Sequence, residues 1–281
     1  MLFQQIGIVG VGLIGGSMGL AIKRSLPRVR LLGIGRNSQR LKLAREMGAI
    51  DDWQIESDAD FRECDLVVLA TPVEHILSIL RTLGSRLRPG TIVTDVGSTK
   101  RRICSQAWDH FPPGVTFIGG HPVAGKEVTG VENCIADLFV GAPYVLCPKP
   151  AAASDDLDRL GRMVSGLGAF SWIMSPEKHD RTLAVLSHLP QLLSTALANL
   201  SGEEKLEIAG SGFRDMTRLA GSSFSVWRSI LETNQDMVDQ ALGEFIEALE
   251  RIRIALRTED LSTEFARASE VYSRLKSGGR Q

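Results

Sequence analysis

Net charge is nearly absent from this sequence: 32 basic residues offset 33 acidic ones, leaving a formal −1. That balance argues against a global electrostatic hold on nucleic acid or on an anionic membrane, while leaving room for a local basic pocket that takes a small anion. No run of 18 uninterrupted apolar residues occurs, so no spanning helix is expected. The N-terminus enters an apolar strand pattern within a few residues, with no basic region before it and no small-residue cleavage site after it, so no signal peptide is expected. Four cysteines, Cys64, Cys104, Cys134 and Cys147, form no CxxC pair. Neither a zinc site, nor any other metal centre, nor a redox pair is therefore expected, and ordinary buried thiols are the alternative. Internal repeats and low-complexity segments are also missing. With 43% hydrophobic residues the chain is not dominantly disordered. Its 281 residues suit one or two domains, able to bury about 75% of the unfolded surface. The expectation is a soluble, ordered, cytoplasmic protein.

What is present falls into two halves. Over residues 1–174 short apolar runs alternate with helical patterns: Ile6–Val9, Leu31–Ile34, Leu66–Ala70, Thr91–Asp95, Val115–Ile118 and Tyr144–Leu146 as strands, with helices over Leu13–Ser25 and Gln39–Met47. Near-continuous apolar strands between helices predict a doubly wound α/β domain with a parallel sheet, Rossmann-like in plan. From 175 to 281 the period is helical throughout. Val238, Ala241, Leu242, Phe245, Ile246, Leu249, Ile252 and Leu256 form a stripe at three- and four-residue spacing. A helix this long in an all-helical half of the chain predicts a homodimer interface, with packing inside one chain as the alternative.

Gly10-Val11-Gly12-Leu13-Ile14-Gly15 follows the first strand and opens the first helix. Such glycines permit a tight turn and close approach to a pyrophosphate, which the free N–H groups at the helix start, those of Leu13 and Ile14 among them, would hold. Where an NAD enzyme usually has an acid at the end of the second strand, this chain has Arg36-Asn37. A guanidinium favours a 2′-phosphate, so NADP is expected, with NAD as the alternative should Arg36 merely stack on adenine. Thr71-Pro72 ends another strand at the edge where the nucleotide should lie.

Four further segments draw attention. Ser98 would cap a helix beginning near Lys100, and Lys100-Arg101-Arg102 reads as a solvated helix face. His121, set among glycines after a strand, is placed in a loop at the carboxyl edge of the sheet, where its near-neutral pKa suits proton transfer from a hydroxyl. The other histidines, His75, His110, His179 and His188, rank lower. Ser187-His188-Leu189-Pro190-Gln191 interrupts a helical pattern with a proline. Arg214 and Arg218, four apart, would share a helix face with Asp215 nearby, either as a binding patch or as an exposed ion-pair network.

Taken together, GVGLIGGS at 10–17, DVGSTK at 95–100, GGHPVAGKE at 119–127, SHLPQ at 187–191 and GFRDMTRLAGSSFSVW at 212–227 resemble the prephenate/arogenate dehydrogenase family of tyrosine biosynthesis, in order and spacing over nearly the whole chain. The resemblance implies an oxidative decarboxylation with hydride transfer to NAD(P). It implies that His121 deprotonates the substrate 4-hydroxyl, that Ser98 hydrogen-bonds the same region, and that Arg218 binds a substrate carboxylate. Ser187, Glu127 and Asp215 fall at positions lining the family's substrate pocket. Gln191 stands where relatives that use prephenate often carry a second histidine, which favours a zwitterionic substrate, while the 212–227 segment favours prephenate. Prephenate is the expected substrate and arogenate the alternative. A β-hydroxyacid dehydrogenase would need a helix-borne lysine, for which only Lys178 is available, and a nucleotide-sensing protein would need neither His121 nor Arg218.

Overall fold

The computed structural model describes residues 2–126, 128–150, 154–258 and 261–277. Glu127, an expected pocket residue, lies outside them. Contacts divide the chain into two compact units, residues 1–234 and 235–281.

The first unit is built on one eight-stranded sheet. Its strands are β1 (Gln5–Val9), β2 (Arg30–Gly35), β3 (Asp52–Ile55), β4 (Leu66–Leu69), β5 (Ile92–Asp95), β6 (Thr116–Pro122), β7 (Pro143–Pro148) and β8 (Phe170–Ile173), in the spatial order β3-β2-β1-β4-β5-β6-β7-β8. All neighbours pair parallel except β6 with β7, which are antiparallel. The sheet is thus parallel, as expected, but for this one pair. Helices α1 (Leu13–Ser25), α2 (Ser38–Glu46), α3 (Val73–Leu83), α4 (Arg101–His110) and α5 (Ser154–Gly166) connect the strands. Chain order reverses beside β1, where β2 leaves on one side and β4 on the other. Ligands of open α/β sheets bind at the carboxyl ends of strands flanking such a point.

The central strands are covered on both faces: every residue of β4 and β5 is buried, the polar Thr94 and Asp95 included, and Ile8 of β1 and Val68 of β4 are 0% exposed. Truncating Ile8 to alanine would cost about 2–5 kcal/mol in lost burial and cavity. The edge strands depart from that pattern. β3 (DWQI) is half-buried and all of β8 (FSWI) is exposed, so neither carries an apolar run.

After β8 come α6 (Pro176–Leu183), α7 (Leu189–Ser201), α8 (Ser211–Thr217) and α9 (Phe224–Thr233), all within the first unit. Among the described residues no strand follows β8. α6 and α7 form one rod joined by a π-helical turn, Ala184–His188. Pro190, in the first turn of α7, has no N–H to donate and its ring crowds the carbonyl a turn earlier, so the ladder widens there instead of breaking. Residues 176–201 are long and apolar enough, by length and composition alone, to cross a membrane. Their buried His179, Asp180 and His188 are, however, committed to hydrogen bonds inside the protein. The second unit holds α10 (Gln235–Thr258) and α11 (Ser262–Lys276). From Ile246 the expected stripe is open on the single chain: Leu249 is 49% and Leu256 63% exposed.

Candidate active site

The glycine turn joins β1 to α1. Gly10 has φ 92°, and a Cβ there would fall 2.6 Å from the Ala70 carbonyl oxygen and from Thr71 Cγ2, so β4 can lie against the turn only because Gly10 has no side chain. Gly15 is equally confined, since a Cβ would lie 2.1 Å from the Gly10 carbonyl oxygen. At Gly12, by contrast, a Cβ meets no heavy atom within 4 Å among the described residues. Gly12 is the N-cap of α1, offers no side-chain cap, and no acid follows in the first turn at Leu13 or Ile14. The helix therefore presents unsatisfied N–H groups and its positive end beside open space. The hydroxyl oxygen of Thr71 is buried there without a hydrogen-bond partner, and Pro72 leads into α3. These features fit a dinucleotide pyrophosphate. Arg36 is exposed just beyond β2, while the Asn37 side chain accepts from the Arg40 N–H at 3.1 Å and so caps α2.

The second cluster forms at the carboxyl ends of β5 and β6, on the same edge of the sheet. His121 lies within β6, paired with Val145 of β7, and is only 8% exposed. The expected loop is thus a strand. Gly119 and Gly120 serve close packing: a Cβ would stand 2.6 Å from Cys104 Sγ at Gly119 and 2.4 Å from the Asp95 carbonyl oxygen at Gly120. Lys100 is also corrected. It is 0% exposed, and its Nζ donates to the Asp95 carboxylate and, at 2.8 Å, to the Gly120 carbonyl. Asp95 in turn accepts from the N–H groups of Gly97 (2.8 Å) and Gly120 (3.0 Å). A charged residue survives full burial here because its partner is equally buried and hydrogen-bonded. Only Arg102 of the basic run is exposed.

Ser98 does not cap α4. That helix begins at Arg101 without a local side-chain cap, and its leading N–H groups, of Lys100 (2.7 Å) and Arg101 (2.9 Å), donate to Asp180 of α6. Ser98 stands half-buried beside them. Asp180 also accepts from His179 Nδ1 at 2.7 Å, and His179 Nε2 meets His121 Nδ1 at 2.8 Å. Burial would raise the Asp180 pKa, but the hydrogen bonds from His179, Arg101 and Lys100 outweigh it and hold the carboxyl below its ordinary value. Burial, then the adjacent His179, Lys100 and His188, keeps His121 well below its usual value. His179 is lowered by burial too, partly offset by Asp180. His121 is therefore neutral, the protonation state of a base.

His188, in the π turn, is buried and lowered by burial to about 4. Its Nδ1 faces Asn234 Nδ2 at 3.3 Å, and that amide also donates to the Asp180 carbonyl at 2.8 Å while accepting from Arg101 at 3.1 Å. Ser187 is half-buried beside it. Gln191 Nε2 donates to the Leu219 carbonyl at 2.9 Å, and Ser194 accepts from the Ala220 N–H at 3.0 Å. Both bonds fasten to α7 the 3₁₀ turn that starts at Arg218, which brings Arg218 and Gln191 into one neighbourhood. Arg218 and Asp215 are exposed. Sequence reasoning thus missed Asp95, Lys100, His179, Asp180 and Asn234, and ranked His188 too low. The available signal was an adjacent His-Asp pair early in a helix. His75 and His110 have local partners, Glu56 and the Gln106 carbonyl.

Comparison with known proteins agrees with this layout. The nucleotide-binding domain of prephenate dehydrogenase matches residues 18–173, and the dimerization domain of the same enzyme matches 175–268. Prephenate dehydrogenase of Bacillus subtilis is 35% identical over 93% of this chain and 72% of its own length. The structure of Aquifex aeolicus prephenate dehydrogenase with hydroxyphenyl propionate and NAD+ aligns with a TM-score of 0.87 at 30% identity, covering 98% of each chain. Synechocystis arogenate dehydrogenase aligns with a TM-score of 0.82 at 29% identity, covering 99% of this chain and 100% of its own. The chain belongs to the prephenate dehydrogenase family, a family of oxidoreductases.

Proposed function

We propose that this chain oxidatively decarboxylates prephenate to 4-hydroxyphenylpyruvate, with residues 1–174 binding NAD(P) and residues 175–281 contributing the substrate pocket and a homodimer interface. The observation carrying this reading is a buried, neutral His121 on the same sheet edge as the open glycine turn. Gly10, Gly12, Leu13, Ile14, Gly15, Thr71 and Pro72 hold the dinucleotide, which when bound accepts a hydride from the ring carbon bearing the hydroxyl. The His121 ring takes the hydroxyl proton as that hydride leaves. The bond to the ring carboxylate then breaks, its electron pair completes the aromatic ring, and the proton returns to the phenolate oxygen. Ser98 holds the same hydroxyl. Arg218 binds a substrate carboxylate, a role suited to its planar fork, with Ser187, Gln191, Glu127 and Asp215 lining the pocket. Arg36 favours NADP over NAD.

One observation favours arogenate as a second reading. Gln191 Oε1 is buried without a partner, and this acceptor suits the N–H groups of an ammonium better than a keto oxygen. Steady-state rates for prephenate and arogenate, each with NAD and NADP, test the proposal. The highest kcat/KM is expected for prephenate with NADP; absence of turnover in all four combinations rejects it.

A further inference from the structure

With both buried rings neutral, the contacts linking His121, His179 and Asp180 admit one arrangement of protons. Both Asp180 oxygens face groups that can only donate: the backbone N–H of Lys100 on Oδ1, and the backbone N–H and Nε of Arg101 on Oδ2, the last at 3.3 Å. Asp180 is therefore an ionised acceptor, and the hydrogen bond to it at 2.7 Å puts a proton on His179 Nδ1. A neutral imidazole carries one ring proton, so His179 Nε2 is bare. That nitrogen lies 2.8 Å from His121 Nδ1, which must supply the proton between them. His121, also neutral, is left with a bare Nε2.

The surrounding charges leave this order undisturbed. The Lys100 ammonium is turned to Asp95 and the Gly120 carbonyl, and neutral His188 accepts at Nδ1 from Asn234. We infer that His179 and Asp180 are positioning residues that fix the tautomer of His121, making Nε2 the atom that takes the substrate proton. The role of Nε2 rests on the proposed function, whereas the tautomer rests on the contacts and on the burial that keeps both rings neutral. When Nε2 gains a proton, the His121 cation is held by the His179 lone pair and, behind it, by the Asp180 charge.

Asp180→Asn distinguishes this from a merely structural role. An amide nitrogen at the Oδ2 position would oppose two donors of a cationic arginine, against the single Lys100 N–H at Oδ1, so the NH2 group settles at Oδ1, gives up the Lys100 bond and donates to His179 Nδ1. Both imidazoles then reverse, and His121 carries its proton on Nε2. Long-range proton–nitrogen NMR of histidine-labelled protein reads the ring protons with no substrate present, so its result stands whichever residue acts on the substrate. The expected spectrum has His121 protonated on Nδ1 in the unsubstituted protein and on Nε2 in Asp180→Asn, with kcat lower by about 10²–10⁴-fold and cofactor binding retained. A second pair of variants covers a failure of Asp180→Asn to fold. His179→Gln can accept from His121 and donate to Asp180, so it should hold the original tautomer and keep kcat well above that of His179→Leu. A proton on Nε2 of His121 in the unsubstituted protein overturns the inference. So does equal kcat for the two His179 variants.

Discussion

The Asp180 carboxylate and the Lys100 backbone N–H stand 2.7 Å apart across 80 residues of sequence, so α4 takes its N-terminal cap from α6. The arrangement fixes the start of α4, on which Lys100 and Arg101 sit, against the helix that carries His179. Asp180→Ala strips both backbone N–H groups and His179 of their acceptor inside the protein. We expect a loss of roughly 2–4 kcal/mol, combining a lost cap with unsatisfied buried donors. Urea denaturation measures it, and a change below about 0.5 kcal/mol, the range of ordinary surface substitutions, would show that the cap is dispensable.

Acid should unfold the protein in a defined window. His188 titrates near 4 in the fold against 6.5 in the unfolded chain, so the unfolded state binds more protons as pH falls. Stability is complete above 6.5, declines from there, and is lost by about 3 kcal/mol once pH passes 4. His121 and His179 are lowered in the same direction and add to the loss. Chemical denaturation at stepped pH should show this decline, and His188→Leu should flatten part of it. A stability independent of pH between 7 and 4 would contradict the buried, neutral state of these rings.

Much of the first unit was legible because buried strands must be apolar and a pyrophosphate turn must be glycine-rich: β1, α1 and β2 fall where the pattern placed them. β3 and β8 were missed since edge strands need no apolar run. The strand holding His121 resembles a loop in sequence because Gly119 and Gly120 serve close packing against Cys104 and Asp95, a constraint only the fold reveals. Lys100 beside two arginines looks solvated until Asp95 is seen beneath it. His179 is inconspicuous in sequence for a similar reason, its partner His121 lying 58 residues away.

Arg36 should set cofactor choice. It is exposed directly after β2 with no carboxylate in its place, so NADP should show the higher kcat/KM and Arg36→Ala should narrow the ratio. A tenfold preference for NAD in the unsubstituted enzyme, or an unchanged ratio in the variant, would defeat this.

The open stripe on α10 should be covered by a second copy. Ile246, Leu249 and Leu256 expose apolar surface that a homodimer would bury, and a charge at Leu249 would be desolvated there. Light scattering is expected to report a dimer at micromolar concentration and a monomer for Leu249→Asp. A dimer that survives the substitution would place the interface elsewhere.

The most direct measurement is steady-state kinetics of His121→Asn with prephenate, together with cofactor binding by fluorescence. An interaction that grows in the transition state appears mainly in kcat, so a fall of about 10²–10⁴-fold is expected with cofactor affinity retained. The unsubstituted enzyme should meanwhile lose kcat/KM on the acid side as the His121 ring becomes protonated. A near-normal kcat in His121→Asn would mean that this histidine does not take the proton, and the account of the active site would fail.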